Sequence, residues 1–404
     1  MEQQMQLQLL PDCDLTFHEM LSRVKNAGAQ PMNRDIHSLI TPAVLLDLDA
    51  MEHNLKKYQE MADQYHKQIW PMTKTHKSSQ LMRLQKKYGA SGFLCGTLDE
   101  CEAAAREGLS PVMYAYPPAS LSAILRLIRI SQTTDLYIRL DDIVGAGLVE
   151  REAAAAGVQI KYTVIIDCGL HRFGISPSDI VEFVQRMEVF PHLVFEGLSS
   201  HPGQVYASES PDDVPGYAEE ERTALHIAVT KLEKAGIKPH MVTSGSTPTF
   251  SFNIDDDVIQ IYHPGNYIFN DTLQISTRTA TEKECALTVL ATVISHPAED
   301  RLIIDAGAKC LGLDQGAHGN HSVKGYGRVP GHPELIIEGL SEEVGKVHIN
   351  GKTNVKTGDQ IRIIPNHSCS SANLTSYYYG IRFNQVDQAI RVDLRDNSTN
   401  KAEY

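Results

Sequence analysis

Residues 69–108 read IWPMTKTHKSSQLMRLQKKYGASGFLCGTLDECEAAAREG. A short run of bulky apolar residues, IWPMTK at 69–74, gives way to SQLMRLQKKY, whose apolar residues recur at helical spacing and which stops at Gly89. The same events then repeat: GFLCGT at 92–97, the helical LDECEAAARE, and a stop at Gly108. Glycine just past a periodic segment is a common helix C-terminal signal, so the stretch predicts strand, helix, strand, helix.

Working outward, the alternation continues through VMYAYP (112–117), DLYIRL (135–140), KYTVIID (161–167), FEGLSS (195–200), HMVTSG (240–245) and IQIYHPG (259–265). Eight such runs with helical stretches between them predict an α/β chain built on a closed (β/α)8 TIM-type barrel. A doubly wound open sheet is the alternative, but no GxGxxG follows the first run. Beyond Asp271 the texture changes to apolar runs without regular helices: ALTVLATVI, RLIIDAG, ELIIEGL, DQIRIIP, YYYGIRF and QAIRVDL. These predict a second, mostly antiparallel β-domain. The expected organisation is an extension over 1–38, with a helix at 17–24, a barrel over 39–271, and a β-domain over 272–404. One strand before the barrel, at 41–49, is a candidate for the second sheet.

The 404 residues carry 37 Lys plus Arg against 50 Asp plus Glu, a formal charge of -13. That sign is wrong for a protein that neutralises nucleic-acid phosphates, so no nucleic-acid partner is expected. No run approaches the roughly 18 apolar residues of a membrane span, and the N-terminus lacks a basic segment before an apolar one. A soluble, cytoplasmic protein is expected. The 7 cysteines form no CxxC pair, which suits buried thiols or single ligands in a reducing compartment.

In a parallel barrel the C-terminal ends of all strands share one mouth. Residues just past the runs are therefore the candidates: Lys74 and His76; Asp167 to Arg172; His201; Ser244, Gly245, Ser246 and Thr247; and Gly265, Asn266 and Tyr267. The last two groups are small, Gly-containing loops after strands seven and eight, where barrels bind phosphate through backbone N–H groups and hydroxyls. Taken alone they are also ordinary turn sequences, as a strand-end lysine is also a snorkelling one. A lysine ending an apolar run and a phosphate loop at the same mouth point to pyridoxal phosphate.

TPAVLLDLDAMEHNL and PMTKTHKSSQLMRLQKKYGASGFLCGTLDECEAAAREG resemble the alanine-racemase-like, fold-type III pyridoxal-phosphate enzymes, specifically the D-serine dehydratase and D-threonine aldolase family. The resemblance continues in order through DCGLHRFG (167–174), SGST (244–247), PGNYIFND (264–271), DAGAK (305–309), GLSEE (339–343) and PNHSC (365–369). It implies that Lys74 holds the cofactor covalently and that the loops at 244–247 and 265–267 hold its phosphate, with Tyr206 a further cofactor contact. Arg172 would face the cofactor ring or the substrate carboxylate, and His76 and His201 would complete the catalytic group. His367 and Cys369 would chelate one divalent metal.

A thiolate and imidazole favour zinc, whereas an aspartate at the cysteine position would suit manganese or magnesium. Cys369 and the HPGQVY segment from His201 to Tyr206 both lean towards a zinc-dependent D-serine dehydratase. D-threonine aldolase, 3-hydroxy-D-aspartate aldolase or dehydratase, and a non-catalytic pyridoxal-phosphate-binding protein are the alternatives. The substrate would be a small D-amino acid, and the assembly a homodimer. The chain departs from the family pattern in Glu343-Val344-Gly345, where a histidine is common at the middle position, and in the SSANL that follows Cys369. His318, His321 and His332, in the glycine-rich stretch 316–333, are within reach of the mouth but are read as solvated loop residues.

Overall fold

The computed structural model describes residues 34–318 and 321–396; the helix expected at 17–24 lies outside the described residues. Two short strands come first, β1 (Arg34–Asp35) and β2 (Ala43–Asp47). Then follow the eight strands of one parallel sheet: β3 (Gln68–Ile69), β4 (Phe93–Cys95), β5 (Val112–Tyr114), β6 (Leu136–Leu140), β7 (Ile160–Ile165), β8 (Leu193–Ser199), β9 (Met241–Ser244) and β10 (Ile261–Tyr262). Each of the eight apolar runs of the sequence overlaps one of them, three strands starting one or two residues before the run.

Their order is β3-β10-β9-β8-β7-β6-β5-β4. The circle shuts where β3 meets β4, through a parallel bridge between Met72 and Leu94 and the bonds Ser91 N to Ile69 O and Leu94 N to Pro71 O, both 3.0 Å. Closure rules out the open sheet. The outer helices start where side chains satisfy their first free N–H groups: Ser78 accepts from Leu81 N, Thr97 from Glu100 N, Ser120 from Ala123 N and Asp142 from Gly145 N. Gly157, at φ 66°, ends the helix Ile143–Ala156 in the left-handed conformation that glycine adopts without strain.

Alternate strand residues point into the barrel. Near the strand starts the filling is apolar, with Trp70, Met113, Tyr137 and Ile261 packed together. Two residues further on, the same strands contribute Arg139 and His263, both buried. The interior thus turns polar towards the mouth.

The second sheet runs β1-β17-β16-β2-β11-β12-β14-β13, with β15 also paired to β11. Its later strands are β11 (Leu287–Ala298), β12 (Arg301–Ile304), β13 (Leu335–Leu340), β14 (Gly345–Ile349), β15 (Gln360–Ile363), β16 (Tyr377–Arg382) and β17 (Gln385–Arg391). The strand expected at 41–49 joins this sheet: β2 lies antiparallel to β11 and parallel to β16. Arg34–Asp35, at the end of the stretch read as an extension, pair with β17. Among the described residues no helix is long and apolar enough to cross a membrane.

The domains meet at the barrel mouth. Ser79 donates to Asp393 at 2.6 Å, Lys77 Nζ to Asp396 O at 3.0 Å, and Tyr378 to His76 O at 2.7 Å. The turn just after Lys74 therefore leans on the end of the chain.

Candidate active site

A cleft of about 950 Å³, its open mouth included, lies over the C-terminal ends of the barrel strands. Lys74 enters it from the turn Thr73–Thr75. Glu100 holds that turn from behind: it accepts from Thr73 Oγ1 at 2.5 Å and Gly96 N at 2.7 Å, and pairs with Lys77 at 2.9 Å, both charges being buried. A Cβ on Gly96 would lie 2.8 Å from Lys74 Cβ, so only glycine leaves the lysine its path. Lys74 Nζ ends 3.5 Å from the Tyr116 hydroxyl.

Beside it, Gly245, Ser246, Thr247, Gly265 and Asn266 form a small-residue cup on the cleft wall. Thr247 Oγ1 is buried there with no protein hydrogen-bond partner. A Cβ on Gly245 would meet His263 N at 2.6 Å, and one on Gly265 would meet Thr75 Oγ1 at 2.9 Å. Ser244 and Tyr267, expected in the same cup, turn their side chains away from it. Strand alternation sends Ser244 outward from the barrel, where its hydroxyl bonds Ser200 at 3.0 Å. The Tyr267 ring packs on Tyr58 and its hydroxyl accepts from Gln85 at 3.2 Å.

Against the edge of this cup, His201 Nδ1 lies 2.8 Å from Gly245 O. A carbonyl only accepts, so Nδ1 carries the proton and Nε2 keeps its lone pair. That Nε2 is buried without a protein partner. Burial, then the Lys74 charge, hold His201 far below the usual histidine range, so the ring is a neutral base. His318 stands 5.6 Å from it, ring to ring, 5.7 Å from the Tyr206 ring, and with Nδ1 3.4 Å from Arg172 Nη1. It is exposed, as a solvated loop residue is, yet lines the cleft mouth, where partial burial, helped by the Lys74 and Arg172 charges, lowers it to about 4. His321 is exposed and His332 pairs with Glu334 at 3.0 Å, as loop residues do.

His76 does not line the cleft. Its Nε2 meets Gln85 Oε1 at 3.1 Å, its Nδ1 accepts from Ser78 N at 3.1 Å, and burial lowers it to about 4. It braces the start of the helix Ser79–Lys87 behind Lys74.

His367 and Cys369 reach the cleft from the second domain. His367 occupies the N-cap position of the short helix Ser368–Asn373, and Cys369 sits in its first turn. Cys369 Sγ lies 3.5 Å from Thr75 Oγ1. Burial alone would raise this thiol, but His367, the Thr75 hydroxyl and Lys74 bring it below the usual value. Burial alone would lower His367, but the Cys369 thiolate and Asp314, with Oδ1 3.9 Å from Nδ1, raise it. Each group thus favours the other's charged form, and a thiolate is the form of cysteine that binds metal.

Four cleft residues escape a reading by loop position. Tyr116, Arg139, His263 and His318 all line it. The signal for Arg139 and His263 is a charged or titratable residue at an inward position of an apolar run. Burial, opposed by Tyr116 and helped by the Arg172 charge, lowers Arg139 to about 10, and burial with the Arg139 charge leaves His263 at about 3. Arg139 Nη2 and His263 Nε2 have no protein partner.

Residues 46–272 match the family model for the alanine racemase N-terminal domain, and residues 286–381 match the model described as "Putative serine dehydratase domain". The chain is 30% identical to a D-serine dehydratase of Dictyostelium discoideum over 86% of this chain and 95% of that one. It is 27% identical to a 3-hydroxy-D-aspartate aldolase of Paracoccus denitrificans over 89% and 93%. Among solved structures, the D-threo-3-hydroxyaspartate dehydratase from Delftia sp. HT23 superposes with a TM-score of 0.83 at 25% identity, covering 91% of this chain and all of that one. Variants of that dehydratase with a histidine and a cysteine two positions apart replaced by alanine are also solved, the cysteine variant in a metal-free form. The chain belongs to the D-serine dehydratase and D-threonine aldolase family of alanine-racemase-like, pyridoxal-phosphate-dependent lyases.

Proposed function

We propose that this lyase dehydrates D-serine to pyruvate and ammonia, with zinc as its metal, as a cytoplasmic homodimer. One observation carries the reading: Lys74 and the His367–Cys369 pair, from different domains, converge on one cleft with Thr75 between them.

The residues present suit both groups. The buried, unpartnered Thr247 hydroxyl and the Gly245 and Gly265 approaches make a cup for a phosphate. A thiolate with an imidazole is a donor set for zinc and leaves open positions on the ion. When bound, pyridoxal phosphate supplies an electron sink for charge at Cα, and zinc a Lewis acid for the oxygen leaving Cβ. The protein does the rest. Lys74 would hold the cofactor through its amine, and the same amine, facing the cleft, would take the Cα proton. Arg172, exposed at the mouth with its guanidinium over the Phe173 ring, offers its charge to the substrate carboxylate. His201 Nε2, a neutral base in a dry wall, accepts or returns a proton at the Cβ oxygen.

That same base supports a second reading, cleavage of Cα–Cβ in a β-hydroxy D-amino acid after deprotonation of its hydroxyl. The purified protein incubated with D-serine, D-threonine and 3-hydroxy-D-aspartate separates the two. Ammonia and a 2-oxo acid are expected, abolished by chelation; glycine and an aldehyde without ammonia would replace the first reading with the second.

A further inference from the structure

Glu221, on the helix Val214–Lys234, is a buried carboxylate that the chemistry above does not use. It sits directly beneath the cup. Its Oε1 accepts from Ser200 Oγ at 3.0 Å, and its Oε2 from Thr249 Oγ1 at 3.2 Å and Asn253 Nδ2 at 3.0 Å. Thr249 Oγ1 in turn lies 3.0 Å from Ser246 Oγ, and Ser246 lines the cleft.

A hydroxyl has one hydrogen to give. While Glu221 is charged, Thr249 spends its hydrogen on the carboxylate and Ser246 spends its own on Thr249. Ser246 then meets the cleft with lone pairs, which repel an anion. If Glu221 takes up a proton, the chain reverses: Glu221 donates to Thr249, Thr249 donates to Ser246, and the Ser246 hydrogen swings into the cleft. Nothing else moves.

We propose that Glu221, Thr249 and Ser246 form a proton-linked relay under the cup, in which entry of the cofactor's phosphate draws a proton onto Glu221 and turns Ser246 from acceptor to donor. The relay rests on the reading that this cup holds that phosphate.

The surroundings favour the switch near neutrality. Burial pushes Glu221 up to about 7, against the pull of its three hydrogen bonds, with Asp256 adding a like charge. The other titratable groups facing it are Tyr262 of β10 and Cys168 after β7, both raised by burial and neutral at this pH. On its own helix, Arg222 is held at the surface by Glu219. An anion bound above the relay is a further like charge and raises Glu221 again.

The test is calorimetric titration of the full-length apoprotein with pyridoxal phosphate, in two buffers of different ionisation enthalpy, from about pH 6 to about pH 8.5. The cofactor's own ionisations are common to all variants and cancel between them. Wild type should take up roughly one proton more than Glu221→Gln at about pH 8, and its affinity should fall roughly tenfold more between pH 7 and 8.5. Ser246→Ala keeps the carboxylate and its response to the anion's charge but removes the final donor, and should take up clearly fewer protons than wild type even if Glu221→Gln folds poorly. Equal proton uptake in wild type and Glu221→Gln, or wild-type uptake in Ser246→Ala, would overturn the relay. Failure of wild type to bind the cofactor at any pH would bring down the cofactor reading itself, and the relay with it.

Discussion

Glu100 shows how much of the site depends on one side chain outside it. This carboxylate has no exposure, and it gathers Thr73, Gly96, Thr97 and the Lys77 ammonium on its two oxygens. Two of those partners flank Lys74 in sequence. Removing one half of a buried ion pair leaves the other charge in a medium that cannot solvate it, at a cost of about 3–5 kcal/mol. Among the described residues, Glu100→Ala leaves Lys77 Nζ the Asp396 carbonyl at 3.0 Å as its partner. The variant is therefore expected to lose about that much stability in urea unfolding, while Glu100→Leu combined with Lys77→Met recovers most of it. A loss under about 1 kcal/mol in the single variant would show that Lys77 finds water.

At the scale of the element, the loops of the mouth were legible and the facing of their side chains was not. Eight apolar runs announce eight strands, and parallel strands bring residues 74, 201, 245 and 265 to one rim, so Lys74 and the glycine-containing cup could be read directly. Facing depends on strand phase. Ser244 and Gly245 are neighbours in SGST, yet one lies behind the wall and the other in it. His318 was illegible because nothing in a glycine-rich loop states which way it folds back. The pairing of β2 with β16 joins residues more than 300 apart, and no local pattern specifies such a partner.

Asp271 is the element-scale link that neither domain's pattern reveals. Its Oδ2 accepts from Asn266 Nδ2 at 2.5 Å and from Ser368 N at 2.8 Å, while its Oδ1 caps the helix Thr272–Ser276 through Gln274 N at 3.1 Å. Ser368 Oγ also donates to Asn266 Oδ1 at 2.7 Å. One carboxylate thus ties the cup to the residue between His367 and Cys369. Asp271→Ala should lower cofactor and metal content together, read by cofactor absorbance and metal analysis of the purified protein. Cys369→Ala should lower the metal alone. Loss of metal with full cofactor in Asp271→Ala would mean the cup stands without the link.

For the whole molecule, the question is whether barrel and β-domain are separate bodies that share a cleft or one cooperative unit. The buried contacts decide it: Ile69, Phe93 and Tyr262 of the barrel belong to the same continuous apolar cluster as Leu287, Ile363 and Tyr378 of the second domain. Domains that merely touch present a polar interface and move independently, whereas a shared core makes opening either half expose the other. The polar ties at Asp271, Lys77 and Ser79 cross the same boundary. Trp70, the single tryptophan, is buried in the barrel wall and reports that half alone. Its fluorescence in a urea titration should change at the same midpoint as hydrogen exchange of peptides covering β12 to β14, the strands that end the second sheet beyond β11. Two separated midpoints would show that the β-domain melts on its own, and the metal pair would then be delivered to the cleft by a hinge and not by a common core.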